Sequence, residues 1–231
     1  IISFSFRKLN LVDRPDGIRK IHEGDTPLGG GLALYISVYI AFLVLPENIL
    51  GGIYSERSIE LLTIWNVSII ILLLGFIDDL KPLPISIRLI VQILASWLVV
   101  LISDIYITDF GDLFGLGNIY LGQLGIPITI FMVVGLTNAF NMLDGMDGLV
   151  ALVTLIAFTS LAVLAFLFGS ISLILLISIC LTAFLLFNLG LFGHKFKLFL
   201  GDSGSMMLGF ILAWFLVTLS QGEHRLLNPV N

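Results

Sequence analysis

Residues 61–79 read LLTIWNVSIIILLLGFIDD, an apolar run that is long enough for a membrane-spanning helix and ends in two aspartates. Such a helix needs about 20 mostly apolar residues. The whole chain of 231 residues has the same character, with 58% hydrophobic residues, 12% charged residues and a mean hydropathy of +1.10. A soluble domain carries about 25% charged residues. The composition therefore predicts an all-α integral membrane protein, a polytopic bundle of transmembrane helices.

Seven apolar runs mark the expected spans, and the apolar residues 1–6 look like the end of an eighth. The approximate bounds of the seven runs are 29–45, 61–77, 87–102, 126–140, 149–168, 171–192 and 206–219. Residues 105–124 place four glycines among short β-prone pieces, which predicts a small hairpin or loop outside the membrane. Since no linker or repeat divides the chain, we expect residues 1–231 to form a single integral membrane domain.

The basic residues are distributed unevenly between the two expected membrane faces. Alternating spans place nine of the 11 Lys and Arg residues on one side, and only Arg57 and Arg225 on the other. Short loops rich in Lys and Arg face the cytoplasm. The nine-residue side is therefore expected to be cytoplasmic, and the hairpin extracytoplasmic. The formal net charge of −5 argues against a nucleic-acid partner.

Five aspartates fall at span ends on the expected cytoplasmic side. They are Asp78, Asp79, Asp144, Asp147 and Asp202. A lone Asp at a helix end is usually a cap, but several carboxylates at one face repel one another unless protons, lysines or a metal neutralise them. Because no Cys or His cluster accompanies them, the oxygen-only donor set suits Mg²⁺ or Mn²⁺. The sequence thus indicates a divalent-metal site at this face.

Amides and cations accompany these acids. Asn138 and Asn141 precede Asp144 and Asp147 at intervals of three, and the intervening glycines allow the backbone to break so that all four side chains converge. The stretch 19–31, RKIHEGDTPLGGG, combines fixed cations with a triple glycine. Cations at this face suit an anionic phosphate, and they also serve as a topology signal. Both interpretations stay open here, as they do for Lys195 and Lys197 near Asp202.

Taken together, these motifs resemble the polyprenyl-phosphate N-acetylhexosamine-1-phosphate transferase family. The matching pieces are RKxH at 19–22, PLxGG at 27–31, the acidic pair at 78–79, NAFNMxDGxDGL at 138–149 and KxFxGDxGS at 197–205. Two departures stand out. Pro82 occupies the third position of a motif that is usually Asp-Asp-x-x-Asp, and family members continue through further helices and a His-rich loop. We therefore expect the chain to be truncated at both ends.

The resemblance implies a metal-dependent phosphotransferase of a bacterial inner (plasma) membrane, with an active site facing the cytoplasm. Its substrates would be UDP-GlcNAc and undecaprenyl phosphate, in the first membrane step of O-antigen, lipopolysaccharide or related envelope glycan synthesis. The catalytic residues implied are Asp78, Asp79, Asp144 and Asp147. Residues implied to contact substrate are Lys20, His22, Asn138, Asn141 and Lys197. The metal, Mg²⁺ or Mn²⁺, would be held by Asp202 and Asp144.

Asp78 and Asp79 are expected to hold or deprotonate the lipid phosphate, and Asp144 and Asp147 to position the metal or the nucleotide sugar. Two alternatives stay open: the family branch that transfers phospho-MurNAc-pentapeptide, and an ion-coupled secondary transporter. A transporter would place acids near the bilayer midplane, whereas the span interiors here are nearly free of charge. Membrane lipids are expected partners, and homodimerisation stays open.

Overall fold

Seven α-helices form a bundle in the computed structural model, which describes residues 6, 11–13, 26–44, 58–112, 115, 117–145, 148–167 and 172–221. The helices are α1 Gly30–Val44, α2 Ser58–Leu80, α3 Ile85–Ser103, α4 Gly125–Leu143, α5 Leu149–Leu167, α6 Ser172–Asn188 and α7 Gly201–Ser220. Each coincides with one of the seven predicted apolar runs. The predicted all-α polytopic class is confirmed.

Among the described residues, four helical segments are long and apolar enough to cross a membrane. They are Ile59–Leu80, Ile85–Ser103, Gly122–Leu143 and Gly201–Ser220, the third of which includes the 3₁₀ turn before α4. The other three apolar helices are shorter, so a count of seven or eight spans stays a prediction.

Several helix ends differ from the predicted bounds by three to five residues, and those of α2 and α7 carry predicted aspartates. Helix α2 continues to Leu80, so Asp78 and Asp79 lie in its last turn and do not follow it. Helix α7 begins at Gly201, not near residue 206, so Asp202 lies in its first turn. Both predictions ended the helix where hydropathy falls, but a charged side chain interrupts an apolar run without interrupting backbone hydrogen bonding.

Helix α7 forms the centre of the bundle. Of its 20 residues, 17 are buried, and it packs most extensively against α2 and α4. The outer helices instead leave large apolar side chains exposed, as at Leu94 and Trp97 of α3 and Phe131 of α4. A helix that is apolar and buried all round belongs to the interior of a bundle. The exposed apolar faces of α3 and α4 are suited to contact lipid.

Glycines allow the helix ends to approach closely at one end of the bundle. A Cβ atom at Gly75 of α2 would lie 2.5 Å from the Asp202 carbonyl oxygen, and one at Gly31 of α1 would overlap the backbone of Gly204. At the same place the Phe199 N–H donates to the Pro27 carbonyl oxygen (2.9 Å). The PLGGG and GD motifs are therefore neighbours in the fold.

A short antiparallel pair, β1 Val12–Asp13 and β2 Thr26–Pro27, leads into α1 and was not among the predicted elements. The hairpin predicted within 105–124 is confirmed. Asp109 pairs with Tyr120, and the Phe110 N–H donates to the Ile119 carbonyl oxygen (3.0 Å). It lies at the end of α7 opposite to Asp202, because the side chain of Gln221 binds it.

Candidate active site

Polar side chains from three helix ends meet where the close-packed glycines allow it. Asp78 and Asp79 come from the last turn of α2, Asn141 from the last turn of α4, and Asp202 from the first turn of α7. Asn141 and Asp202 are 61 positions apart along the chain, and Asp79 and Asp202 are 123 positions apart. The structure thus brings together three of the predicted motif segments.

Asn141 holds the carboxylate of Asp202. Its Nδ2 donates to Asp202 Oδ1 (2.7 Å) and lies 3.2 Å from Ser205 Oγ, one turn further along α7. A hydrogen bond to an ionised carboxylate is shorter and stronger than one between neutral groups. The side-chain amide therefore fixes the orientation of Asp202, whereas the role predicted for Asn141 was to contact substrate.

Asp78 is buried and forms an ion pair with Arg88 of α3. Its Oδ2 accepts from Arg88 Nη1 (2.9 Å), and its Oδ1 accepts the backbone N–H of Leu83 (2.6 Å). The Asp78 side chain is only 5% exposed. The Asp202 carboxyl group is close enough to Asp78 for the two groups to interact electrostatically. Two carboxyl groups face each other here, with one guanidinium beside them.

Arg88 was predicted only as a topology charge, and its place beside Asp78 is a finding of the structure. Its Nε is buried and has no acceptor among the described residues, although Nη1 is paired. The sequence signal available was a basic residue ten positions after an acidic residue, across the short connection between two apolar runs. A guanidinium with an unused donor is suited to bind a phosphate.

Asp79 has different partners from its neighbour. Its Oδ1 accepts the backbone N–H of Asp202 (2.8 Å), and its Oδ2 accepts that of Ser203 (3.1 Å). Asp79 thus faces the beginning of α7, whereas Asp78 faces Arg88.

Asn138 belongs to a buried polar contact between α3 and α4. Its Nδ2 donates to Gln92 Oε1 (2.6 Å) and to the Val134 carbonyl oxygen (2.8 Å). Gln92 is fully buried, and its Nε2 lies 3.8 Å from the Met206 sulfur of α7. Sequence reasoning missed Gln92, although a glutamine inside an apolar run was the available signal.

The remaining predicted site residues divide into two groups. Asp144 follows α4, with its backbone N–H donating to the Asn141 carbonyl oxygen (3.3 Å), and the Lys197 ammonium lies 5.0 Å from the centre of the Phe199 ring. The others lie outside the described residues, so their predicted roles stay predictions. They are Lys20, His22 and Asp147.

The chemistry of the donor set fits a hard divalent cation. Within the described ranges, no three His, Cys, Asp or Glu side chains form a group that could hold a metal ion. Mg²⁺ is commonly held by only one or two carboxylates together with substrate phosphates. Asp78 and Asp202 would supply two such carboxylates, and a cation bound beside them would reduce their mutual repulsion.

The fold and the site define a polytopic membrane protein with a carboxylate and amide site at one end of a helix bundle. The chain belongs to glycosyl transferase family 4, which it matches over residues 61–220. The family resemblance found in the sequence is thereby confirmed.

Three relatives illustrate the similarity. The chain is 32% identical to the undecaprenyl-phosphate alpha-N-acetylglucosaminyl 1-phosphate transferase of Yersinia pestis over 226 residues, which is 96% of this chain and 59% of the relative. It is 30% identical to the protein of the same name from Escherichia coli K12 over 227 residues (97% and 59%). It is also 32% identical to a probable undecaprenyl-phosphate N-acetylglucosaminyl 1-phosphate transferase of Bacillus subtilis over 210 residues (89% and 54%). The chain spans a little over half the length of these relatives.

Proposed function

We propose that the protein transfers GlcNAc-1-phosphate from UDP-GlcNAc to undecaprenyl phosphate and releases UMP. The observation that carries this proposal is the meeting of Asp78, Asn141 and Asp202 at one end of the bundle. The names of the three relatives support it, since each refers to N-acetylglucosaminyl 1-phosphate transfer and to undecaprenyl phosphate. Those names favour GlcNAc over the phospho-MurNAc-pentapeptide alternative.

The reaction exchanges one phosphoanhydride bond for another. An oxygen of the lipid phosphate attacks the phosphorus that carries the GlcNAc, the bond from that phosphorus to the bridging oxygen breaks, and UMP leaves with the bonding electron pair. Both reactants are anions, so the site must offset their charge. Mg²⁺ or Mn²⁺, held by Asp202 with Asp78 or Asp144, would neutralise charge on the diphosphate.

The chain's own residues have separate tasks in this proposal. Asn141 orients the Asp202 carboxylate through its 2.7 Å hydrogen bond. Arg88 offsets the charge of Asp78 and offers its unused N–H donor to a phosphate oxygen. Asp78 lies beside both Arg88 and Asp202, and it would bind or deprotonate the lipid phosphate.

The position of the site suits one soluble and one lipid substrate. The carboxylates lie at helix ends, where a water-soluble nucleotide sugar can reach them, while the apolar faces of the helices suit a prenyl chain. The same position argues against a transporter with acids at the bilayer midplane. We place the site at the cytoplasmic face of a bacterial inner membrane, following the distribution of Lys and Arg.

The test is UMP release by the full-length protein in membranes of defined lipid composition. We expect release from UDP-GlcNAc only when undecaprenyl phosphate and Mg²⁺ are both supplied. Asp202→Asn should lower the rate by at least about 10²-fold, the loss typical when transition-state charge stabilisation is removed. Asp104→Asn makes the same change in an exposed residue at the opposite end of α3, and should keep the wild-type rate.

Three outcomes would contradict the proposal. They are full activity of Asp202→Asn, release that is independent of the lipid, and a preference for UDP-MurNAc-pentapeptide as donor.

A further inference from the structure

The two adjacent aspartates at the end of α2 are engaged in different ways, and only one of them faces the ion pair. Asp78 forms the ion pair with Arg88 and interacts electrostatically with the Asp202 carboxyl group. Asp79 contacts backbone instead, because its two oxygens accept the N–H groups of Asp202 and Ser203. The two adjacent acids therefore need not both bind the lipid phosphate, although the sequence had predicted this role for both.

Those two N–H groups belong to the first turn of α7. The first four N–H groups of an α-helix have no acceptor within the helix and need one from outside. The residue that precedes α7 is Leu200, whose side chain has no polar atom and cannot serve as a cap. Asp79 supplies the missing acceptors from another helix, and its negative charge is favourable at this end of the helix dipole.

The packing around Asp79 fits a structural carboxylate. Gly201 has φ +73°, and a Cβ atom there would lie 2.8 Å from Asp79 Oδ2. One turn before Asp79, a Cβ at Gly75 would lie 2.5 Å from the Asp202 carbonyl oxygen and from Ser203 Cα. The backbone at the start of α7 thus lies directly against the end of α2, both at Gly75 and at the Asp79 carboxylate. Glycine is required at both contacts for this approach.

We propose that Asp79 is a positioning residue that caps α7 and thereby holds Asp202 in place, and that it does not bind the lipid phosphate. The backbone N–H of Asp202 donates to Asp79, and the carboxylate of Asp202 accepts from Asn141. A shift of the first turn would therefore move the carboxylate away from its partners. The inference rests on the proposed function for the role of Asp202, but the capping contact itself does not.

Hydrogen exchange tests the cap without any assay of activity. Amide exchange is followed by mass spectrometry in peptides that cover residues 199–206 of the full-length protein. We expect Asp79→Ala to raise the exchange rate of the Asp202 and Ser203 amides at least about tenfold, since exchange reports local opening. Asp79→Asn keeps one accepting oxygen and should give an intermediate rate. Asp78→Asn, the matched change in the adjacent acid, should leave these amides at the wild-type rate.

Kinetics separate positioning from binding. We expect Asp79→Ala to lower kcat by about 10²-fold, the loss that a misplacement of about 1 Å can produce. The KM for undecaprenyl phosphate should stay within about threefold of the wild-type value, because no contact to that substrate is removed. Asp79→Asn should recover part of kcat in parallel with its amide protection.

Gly201→Ala is a second variant that should disrupt the contact between Asp79 and α7. It replaces Asp79→Ala as the test if that variant fails to fold. It should both speed exchange at Asp202 and lower kcat, because the new Cβ meets the Asp79 carboxylate. Gly190→Ala is the control, since Gly190 has the same left-handed φ (+72°) but no atom within 4 Å of an added Cβ.

The proposal is overturned if Asp79→Ala loses activity while the two amides keep their wild-type exchange, or if its main effect is a higher KM for undecaprenyl phosphate. A wild-type protein that releases no UMP would overturn the proposed function instead. In that case the exchange rates would still decide whether Asp79 caps α7.

Discussion

Polar side chains connect both ends of α7 to neighbouring elements. The contacts at one end are made by a neutral amide, and those at the other end involve charged groups. At the hairpin end, one neutral amide makes the contacts. Gln221 Oε1 accepts from the backbone N–H (3.0 Å) and the hydroxyl (3.0 Å) of Thr108, while its Nε2 donates to the Asp109 carbonyl oxygen (3.2 Å). The contacts at that end thus join a neutral side chain to the backbone and side chain of the hairpin.

At the site end the contacts are made by charged groups. The carboxyl groups of Asp78 and Asp202 face each other, and the guanidinium of Arg88 keeps a buried donor without an acceptor among the described residues. Like charges in a partly buried site raise the free energy of the folded state unless a cation binds. A polar contact between neutral, paired groups indicates a structural role, whereas facing charges and an unpaired donor indicate a place for a ligand.

The largest expected effect comes from breaking the site end at Asn141. Asn141→Leu keeps a similar volume but removes the donor to Asp202, so kcat for UMP release should fall by about 10²-fold. The midpoint of thermal unfolding should change by only a few degrees, because Asn141 is partly exposed. Asn118→Leu, in the hairpin, is the matched control. A large loss of thermal stability in Asn141→Leu with a normal kcat would contradict the functional role assigned to the site end.

Breaking the hairpin end should instead affect stability. Gln221→Leu leaves the N–H groups of Thr108 and Asp109 without their acceptor, at a cost of about 2 kcal/mol in the free energy of unfolding. Activity per folded molecule should stay at the wild-type level. Denaturant unfolding in detergent gives the first quantity, and UMP release normalised to folded protein gives the second. Gln123→Leu, which changes an exposed residue, should alter neither.

Arg88 sharpens the comparison at the site end. Arg88→Lys keeps the positive charge beside Asp78 but loses the additional N–H donors, so kcat should fall by about tenfold with little change in unfolding. Lys81→Arg is the control for charge-conserving change nearby, at an exposed position. Equal activity of Arg88→Lys and wild type would show that the guanidinium serves only as a counterion.

The smallest expected effect lies at the hairpin end. Thr129 Oγ1 accepts the backbone N–H of Ile107 (2.8 Å), so Thr129→Val should lower the free energy of unfolding by about 1 kcal/mol. Thr154→Val removes only a bond to the carbonyl oxygen four residues earlier, and should cost less. Denaturant unfolding measures both losses of stability. Equal losses in the two variants would show that the hydrogen bond from Ile107 to Thr129 contributes nothing to stability.

Much of the fold could be predicted because it depends on local composition. Each helix coincides with an apolar run, since a chain in lipid must satisfy its backbone hydrogen bonds within the segment. The errors lie at helix ends, where Asp78 and Asp202 proved to be part of α2 and α7. The start of α7 is capped by Asp79 of another helix, a contact that has no local signature in the sequence.

The site could be predicted as a set of residues but not as a set of contacts. The motifs indicated Asn138 and Asn141 as equivalent, yet Asn141 bonds to Asp202 and Asn138 to Gln92. The two residues lie on one helix, but the three-residue interval rotates them by about 60° relative to each other. Each therefore meets a different neighbouring helix.

The sequence by itself determined the class of protein, the approximate helices and the end of the bundle that carries the acids. Hydropathy and charge act through the solvent, so they can be read position by position. Only the tertiary structure decided that Asp78 faces Arg88 and that Asp79 faces the first turn of α7. Successive residues of a helix point about 100° apart, so the partners of two adjacent acids depend on which helix packs on each side.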